Sequence, residues 1–360
     1  MGGSKLVMIR RGMKMLELDR YLSFMVRRIR PYLATKYSTD IIRSLQRFYA
    51  QCYADDRSPW TVMCDFDGDL RLKIDRSSFI GSSIYWNGYS SLNELYLLGR
   101  LLEPHMVFVD VGANQGEFTL YAAKRLPAGK VLAFEPVEER YRHLIENVQM
   151  NGLENICAYN VGLSDYVGEF EMYMPQDIRR SNQTFNGLAN EGTASVFRSS
   201  ARPSKACTAR LETFDRVFRE SGLSRLDVIK IDVEGAELHV LRGARDAIDQ
   251  YRPAIIMEMS AESLEAAGHT TGDVIDFLDN LHYELFLIGN YRSIDVWKHG
   301  FTGRYGRLTQ IDRHNIPDYC NIMCRYVGSR QPVKAEGVSG NVGCARMGRE
   351  TQGGTASHGK

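Results

Sequence analysis

Two hydrophobic patterns follow one another in the amino-terminal part of the chain. Apolar residues recur at helical spacing from Leu22 to Ile29 and from Ile41 to Phe48, which predicts two helices separated near Pro31. Between Thr61 and Ile84 apolar and polar residues alternate in short runs that Gly and Asp interrupt, which predicts one or two β-hairpins. We therefore expect residues 1–88 to form an extension of helices and hairpins ahead of the main domain.

From residue 92 to residue 326, short apolar runs alternate with amphipathic stretches. The runs predict strands over Met106–Val111, Val131–Phe134, Ile156–Val161, Leu226–Ile231, Ala254–Met259, Leu285–Ile288 and Asn321–Tyr326. The amphipathic stretches predict helices over Leu92–Leu102, Glu117–Arg125, Glu138–Met150, Ala236–Ala247 and Val274–Leu281. Such alternation is typical of an α/β fold with a mostly parallel sheet and helices on both of its faces. We assign this domain to residues 89–330.

Two polar segments stand apart from this pattern. Pro175–Lys205 is rich in Ser, Asn, Gly and Arg and is too long for an ordinary connection, so it is either a loop that covers a substrate or a disordered insertion. Residues 331–360 are rich in Gly, Ser and Thr and have little apolar surface to bury. We expect this tail to be disordered.

Charge and cysteine content exclude some classes of protein. The 45 Lys and Arg residues balance 44 Asp and Glu residues, so no overall field attracts nucleic acid or an anionic membrane. Charged residues interrupt the apolar positions near the amino terminus, which argues against a signal peptide or a membrane-inserted helix. The seven cysteines are scattered singly, which predicts free thiols. We therefore expect a cytoplasmic protein, and the sequence leaves homo-oligomer formation open.

The first chemical signal is a glycine-bearing turn that follows the apolar run beginning at Val107. Gly112 and Gly116 allow a sharp turn and a close approach of the backbone to a ligand, with Ala113 between them. Asp110 ends the strand and Asn114 lies in the turn, so polar groups meet at the carboxyl edge of the sheet. An acid at this position suits an ammonium and a sulfonium better than a diphosphate. The turn therefore favours S-adenosylmethionine over a dinucleotide, whose binding turn has the pattern G-x-G-x-x-G.

Two further segments follow the next two strands. Glu135, ahead of Pro136, closes a strand where a carboxylate can accept hydrogen bonds from both ribose hydroxyls of a nucleoside. Ser164 and Asp165 follow the third strand, where Asp165 is placed to meet the amino group of adenine. Each is a weak signal alone, but their order along the chain supports a shared cofactor site.

The segment from Asp227 to Glu237 carries an unusual density of charge at the end of a buried strand. Lys230, Asp232, Glu234 and Glu237 serve either a ligand or one another, because uncompensated burial of charge is costly. The alternative is a structural ion-pair cluster around Lys230.

In this order, the segments VFVDVGANQGEFTLYAA, AFEPVEERYRHLIENVQMN, LSD and IKIDVEGAELHVLRGA resemble the hallmark segments of the FkbM family of methyltransferases. The resemblance covers residues 89–326 and implies a Rossmann-like class I methyltransferase fold with a seven-stranded sheet, S-adenosylmethionine as cofactor, and O-methylation of a sugar or small-molecule hydroxyl. The implied cofactor residues are Asp110, Gly112, Ala113, Asn114, Gly116, Glu135, Pro136, Ser164, Asp165 and Asp232.

Methyl transfer to a hydroxyl needs a positioned acceptor and a base for its proton. The candidate catalytic residues are Asp232, Glu234 and His239. A metal-assisted version, with Glu258 joining the two acids as a ligand, is the weaker alternative, and we predict no metal site. A nucleotide-dependent oxidoreductase and a cofactor-binding scaffold are the competing functions. We do not expect nucleic acid as a partner, since no Asn-Pro-Pro-Tyr or Pro-Cys segment and no basic stripe occurs.

Overall fold

The computed structural model describes residues 18–28, 44–46, 60–175, 204–289, 307–311 and 316–328. The two predicted amino-terminal helices lie partly within these ranges, where residues 18–28 and 44–46 are helical as predicted. The interior of the polar segment Pro175–Lys205 and the predicted tail over residues 331–360 also lie outside them.

The described residues alternate strands and helices, as the sequence predicts. In chain order the strands are β1 (Trp60–Phe66), β2 (Leu70–Asp75), β3 (Val107–Val111), β4 (Lys130–Phe134), β5 (Ile156–Tyr159), β6 (Gly162–Leu163), β7 (Gly168–Pro175), β8 (Ser204–Glu212), β9 (Val228–Ile231), β10 (Ala254–Ser260), β11 (Tyr283–Gly289), β12 (Arg307–Gln310) and β13 (Tyr319–Tyr326). The helices are α1 (Phe79–Asn87), α2 (Leu92–Leu101), α3 (Glu117–Arg125), α4 (Glu138–Asn151), α5 (Phe214–Ser221), α6 (Glu237–Gly243), α7 (Arg245–Tyr251), α8 (Ala261–Ala266) and α9 (Thr271–Asn280).

The main sheet has the strand order β12-β11-β13-β10-β9-β3-β4-β5. The five strands from β10 to β5 are mutually parallel, and β13 is antiparallel to both of its neighbours, β10 and β11. This confirms the mostly parallel α/β sheet, with β12 as an eighth strand at one edge that the sequence did not predict. Since β3 and β9 are neighbours, their carboxyl ends meet at the same edge.

The predicted helix over Ala236–Ala247 is two helices, α6 and α7, which meet at Ala244. The side chain of Asp215 on α5 explains the second helix start. Its two carboxylate oxygens accept hydrogen bonds from the backbone N–H groups of Asp246 and Ala247, at 3.0 and 2.9 Å. A neighbouring helix thus supplies the cap that α7 lacks in its own sequence.

The prediction of hairpins up to Ile84 was wrong in its second half. Strands β1 and β2 form the hairpin, but Phe79–Asn87 is helix α1, whose N-cap Ser78 accepts a hydrogen bond from the backbone N–H of Gly81. Gly81 is a packing glycine, since a Cβ there would lie 2.0 Å from the carbonyl oxygen of Asp75. The hairpin and α1 share a hydrophobic cluster with Leu120 of α3, and the predicted domain boundary at residue 88 stays a prediction.

Two asparagines one helical turn apart fasten the hairpin to α4. Asn147 bonds to the backbone N–H and carbonyl of Lys73, and Asn151 bonds in the same way to Arg71. The spacing fits because four residues of helix and two residues of strand both advance about 6 Å. Asn147 also donates to the carbonyl of Gln115 in the turn after β3, at 2.8 Å. The amino-terminal hairpin is thereby tied to the candidate cofactor turn.

A separate three-stranded sheet, in the order β6-β8-β7, was not predicted. Strands β7 and β8 are antiparallel, so the polar segment after Pro175 connects the two strands of a long hairpin. The prediction of free thiols holds for Cys64, Cys320 and Cys324 but is wrong for Cys157, which is disulfide-bonded. No helix among the described residues has the length and apolar character needed to cross a membrane.

Candidate active site

The turn after β3 is held by backbone hydrogen bonds from the neighbouring strand. The N–H groups of Gly112 and Ala113 both donate to the carbonyl of Phe134, at 3.0 and 2.9 Å. Gly112 has φ +78°, and a Cβ there would lie 1.9 Å from the carbonyl oxygen of Asp232. Glycine is therefore required at position 112, because the turn after β3 lies directly against the backbone of the turn after β9. The sequence alone did not reveal this reason.

Glu135 at the end of β4 is buried and shapes the same turn. Its Oε2 accepts a hydrogen bond from the backbone N–H of Asn114 at 2.8 Å, and its Oε1 accepts one from Val137 at 3.0 Å. Burial raises the pKa of the Glu135 carboxyl. Each oxygen keeps a second lone pair, so the carboxylate can also accept hydrogen bonds from a diol. Pro136, half-buried, follows directly after it.

Asp110 lies beneath the turn and is fully buried. Its Oδ2 accepts a hydrogen bond from the hydroxyl of Thr119 at 2.6 Å, and its Oδ1 lies 3.4 Å from Nζ of Lys230. Lys230 also donates to the carbonyl of Gly112 at 3.0 Å and lies 3.5 Å from Oδ2 of Asp232. Burial acts to lower the pKa of Lys230, but Asp232 and Asp110 outweigh it and raise the pKa. The ion-pair cluster considered as an alternative is thus present, and Lys230 connects it to the candidate cofactor turn.

Three carboxylates meet beyond Lys230, at the carboxyl ends of β9 and β10. Each of Asp232, Glu234 and Glu258 offers an oxygen that lies within 4.8 Å of those of the other two. Burial, together with Asp232 and Glu258, raises the pKa of Glu234 to about 8. Burial and Asp232 raise the pKa of Glu258 to about 7. Three oxygen donors at this spacing can hold a cation.

The backbone of this second turn is as constrained as the first. Glu234 has φ +54°, in the left-handed region that non-glycine residues rarely adopt. Gly235 follows with φ +107°, and a Cβ there would lie 2.5 Å from the carbonyl oxygen of Ser263. Glu237 stabilises the turn because its Oε1 accepts a hydrogen bond from the N–H of Gly235 at 3.0 Å. The conformation presents Glu234 beside Asp232 and Glu258.

Several acids near this site were not predicted from the sequence. Glu94 of α2 is 8% exposed and Glu117 of α3 is 6% exposed, and burial raises the pKa of each, that of Glu117 to about 7. The backbone N–H and the hydroxyl of Ser90 both donate to Glu117, which fixes the segment before α2 onto α3. Tyr319 of β13 is 60% exposed and bonds to Glu258. A sequence signal for Glu94 exists, since it is an acid on the apolar face of a predicted helix.

The third predicted cofactor segment lies on the turn after β6. Ser164 is buried, and its hydroxyl donates to Oδ1 of Asp165 at 3.2 Å. His239 of α6, predicted as a third candidate base, bonds through Nδ1 to the same Oδ1 at 3.0 Å. The structure thus brings Asp232 and Glu234 together and places His239 at Asp165. Burial acts to raise the pKa of the Asp165 carboxyl, but the hydrogen bond from His239 outweighs burial and holds this pKa below its usual value.

The donor set suits a ligand that is positively charged and carries a diol. Acidic side chains predominate around the turns after β3 and β9, and Lys230 and Arg140 oppose their charge only in part. The sulfonium and ammonium groups of S-adenosylmethionine would supply this positive charge, and its ribose carries a diol that could donate hydrogen bonds to Glu135. A dinucleotide would bring a diphosphate into the same acidic surroundings.

The strand order of the main sheet, with a glycine-bearing turn after β3, is that of a class I methyltransferase fold. The sequence profile described as "Methyltransferase FkbM domain" matches residues 110–285. The chain is also 32% identical over 189 residues to methyltransferase sdnD from Sordaria araneosa, which corresponds to 46% of this chain and 70% of sdnD. The chain belongs to the FkbM family of methyltransferases.

Two other relatives are similar over a comparable number of residues. One is the AMB antimetabolite synthetase AmbE from Pseudomonas aeruginosa, 33% identical over 217 residues, or 52% of this chain and 10% of AmbE. Another is the 31-O-demethyl-FK506 methyltransferase FkbM from Streptomyces tacrolimicus, 27% identical over 168 residues, or 41% of this chain and 63% of FkbM. The chain thus spans a small part of AmbE and less than two thirds of FkbM.

Proposed function

We propose that this chain is an S-adenosylmethionine-dependent O-methyltransferase that acts on a hydroxyl of a sugar or of a small-molecule natural product. The observation that carries the proposal is the acidic trio Asp232, Glu234 and Glu258 beside a turn that suits the cofactor. The name of the Streptomyces tacrolimicus relative, a 31-O-demethyl-FK506 methyltransferase, describes methylation at an oxygen and supports the same chemistry here.

The cofactor-binding residues follow from the two turns and the strand ends. The backbone of Gly112–Gly116 provides the cradle, Glu135 accepts from the ribose hydroxyls, and Asp165 accepts from the adenine amino group. Asp232, 37% exposed at its side chain, faces the positive end of the cofactor together with the buried Glu94. When bound, S-adenosylmethionine supplies an electrophilic methyl group.

Glu234 is the base in this proposal. With a pKa of about 8, ionised Glu234 is a stronger base than an ordinary glutamate, so it can take the proton of an acceptor hydroxyl as the new C–O bond forms and the bond between the methyl carbon and the sulfur of the cofactor breaks. The O–H bond of the acceptor breaks, and its proton ends on Glu234. Asp232 and Glu258 favour the protonated form of Glu234 afterwards, because a negative charge on Glu234 would lie beside their own carboxylates.

The trio also supports a metal-assisted form of the same reaction. Its three carboxylate oxygens, within 4.8 Å of one another, match the ligands that a hard divalent cation prefers. In this form the acids would hold the cation, and the cation would orient the acceptor oxygen. The same three acids take part in the metal-free and the metal-assisted reaction, so a test of metal dependence distinguishes these two forms.

Calorimetric titration tests the cofactor first. We expect binding of S-adenosylhomocysteine and no measurable binding of NAD. Initial rates of methyl transfer from labelled S-adenosylmethionine to glycans and secondary metabolites then test the activity. NAD binding without S-adenosylhomocysteine binding would support an oxidoreductase instead. Cofactor binding without transfer to any acceptor would support the scaffold alternative.

Glu234→Gln tests the base. We expect turnover to fall by about a hundredfold or more while affinity for S-adenosylhomocysteine changes little, because base catalysis contributes about a hundredfold to ten-thousandfold. Glu265→Gln, at an exposed position on α8, is the matched control. Loss of wild-type activity in a chelator, with recovery on addition of a divalent salt, would identify the metal-assisted form. Unchanged turnover in Glu234→Gln would refute both forms.

A further inference from the structure

Helix α6 links the acidic trio to the turn that carries Asp165. The helix begins at Glu237, directly after the turn of Glu234 and Gly235, and it ends at Gly243. A Cβ on Gly243 would lie 1.9 Å from the carbonyl oxygen of Ser164, so the helix rests on the backbone of the Ser164–Asp165 turn. His239, one helical turn before Gly243, lies on the same face and reaches the Asp165 side chain.

Asp165, His239 and His269 form a row of hydrogen-bonded side chains. His239 bonds through Nδ1 to Oδ1 of Asp165 at 3.0 Å, and its Nε2 lies 3.2 Å from Nε2 of His269. His269 is held by its own backbone, whose N–H donates to the carbonyl of Leu264 at 2.9 Å. The capping box of Thr270 and Asp273 follows directly and fixes the start of α9.

Hydrogen-bonding chemistry sets the direction of this row. An ionised carboxylate only accepts, so Nδ1 of His239 carries the hydrogen that bonds to Asp165. In a neutral ring, Nε2 of His239 is then an acceptor, and Nε2 of His269 must be the donor. The hydrogen bonds therefore run from His269 through His239 to Asp165, and each ring has a defined tautomer.

The row uses one of the two Asp165 oxygens. Oδ1 accepts from both Ser164 and His239, and no other side chain bonds to Oδ2 among the described residues. A carboxylate whose first oxygen is held by two donors has a fixed plane, which directs its second oxygen. The Asp165 side chain is 31% exposed, so this second oxygen is accessible to a ligand.

We propose that His239 and His269 are positioning residues for the cofactor, holding the Asp165 carboxylate so that its free oxygen accepts a hydrogen bond from the adenine amino group. The inference rests on the proposed function, since it needs S-adenosylmethionine in this site. His239 then acts on cofactor selection rather than on the acceptor proton, and the base is left to the acidic trio.

Titration with two ligands tests the row. S-adenosylhomocysteine carries the adenine amino group, and S-inosylhomocysteine carries an oxygen in its place. We expect wild-type protein to prefer S-adenosylhomocysteine. His239→Ala should bind it about three- to tenfold more weakly and should show a smaller preference, because a partly exposed bond to a charged group makes a modest contribution.

Further variants separate positioning from general damage to the fold. His239→Asn keeps a donor near the position of Nδ1, so we expect its affinity and preference to fall between those of wild type and His239→Ala. His269→Ala should reduce the preference less than His239→Ala. His105→Ala removes a histidine that is 53% exposed beside Glu103 and should change neither quantity. Thermal melting of each variant checks that it is folded.

The outcomes distinguish this inference from the proposed function. If wild-type protein binds neither ligand, the proposed function fails. If wild type binds S-adenosylhomocysteine and His239→Ala binds it equally well with the same preference over S-inosylhomocysteine, the positioning role is overturned while the proposed function stands. A weaker His239→Ala whose preference is unchanged would also overturn it, because it would show a purely structural role.

Discussion

Replacing Asn147 with alanine should destabilise the protein far more than the same change at Asn151. Both side chains bond to the backbone of alternate residues on β2, so they make the same type of contact one helical turn apart. They differ in their surroundings. Asn147 is fully buried, whereas Asn151 is half-buried and its bonds to Arg71 are exposed to solvent.

The structure sets the expected magnitudes. Asn147→Ala removes a 2.8 Å bond from the Lys73 N–H, a 2.8 Å bond to the Gln115 carbonyl and a weaker 3.3 Å bond to the Lys73 carbonyl. Each bond contributes about 1 kcal/mol, and the buried groups left without partners add a penalty, which gives a loss of about 2–4 kcal/mol. At Asn151 water can replace the lost bonds, so we expect a loss of about 0.5–1 kcal/mol.

Urea unfolding of the two variants measures this difference. Asn147→Ala should lower the unfolding midpoint without changing the slope of the transition. Gln115 lies in the candidate cofactor turn, so the affinity of Asn147→Ala for S-adenosylhomocysteine should also fall. Asn151→Ala should bind S-adenosylhomocysteine as wild type does. Equal losses of stability in the two variants would refute the reasoning, since they would show that burial of the amide bonds does not matter here.

Three further predictions concern single positions. Gly112→Ala should abolish cofactor binding and destabilise the protein, because the new Cβ would lie 1.9 Å from a backbone oxygen. Gly152→Ala is the control, since Gly152 also has a positive φ but has open space around it. This variant should lower the free energy of unfolding in denaturant by only about 1 kcal/mol. For Glu234, whose pKa is about 8 rather than 4.5, the folded state binds more protons than the unfolded chain between these values, so stability falls as pH rises through this window. The melting temperature of the ligand-free protein should therefore decline from about pH 5 to about pH 8, and less steeply in Glu234→Gln; parallel declines would contradict this. Ser78→Ala should cost about 1–2 kcal/mol because its hydroxyl caps α1, whereas Thr213→Ala, at an N-cap without a side-chain bond, should cost less; equal losses would speak against the capping role.

The central sheet could be predicted because each of its strands has a local signal. The runs at Val107 and Val131 are continuous and apolar, as expected for strands buried on both faces, and the observed strands begin within one residue of these positions. The glycines of the turn after β3 were also found from their spacing. Parallel strand pairing then brings the ends of β3, β4 and β9 to one edge, where the predicted acids lie.

Other elements had signals too weak to predict. The segment Phe79–Asn87 contains glycine and serines that lower its helical propensity, and it folds as a helix because Ser78 caps it and Trp86 is fully buried in the cluster beneath the hairpin. Strand β8 has many polar residues, and it pairs with β7 across the long segment between them. In each case tertiary contacts outweigh the local preference of the sequence.

The family, the order in which the strands carry their polar groups and the acids that follow β9 could all be read from residue type and spacing along the chain. Which of these groups lie together depends on how the chain folds. Glu258 is distant in sequence from Asp232 and joins it because β9 and β10 are neighbours. His239 lies five residues after Glu234 and still contacts Asp165, because α6 leads away from the acidic turn and packs on Ser164. The direction in which a helix leaves a turn is set by the surfaces it buries, and these come from distant parts of the chain.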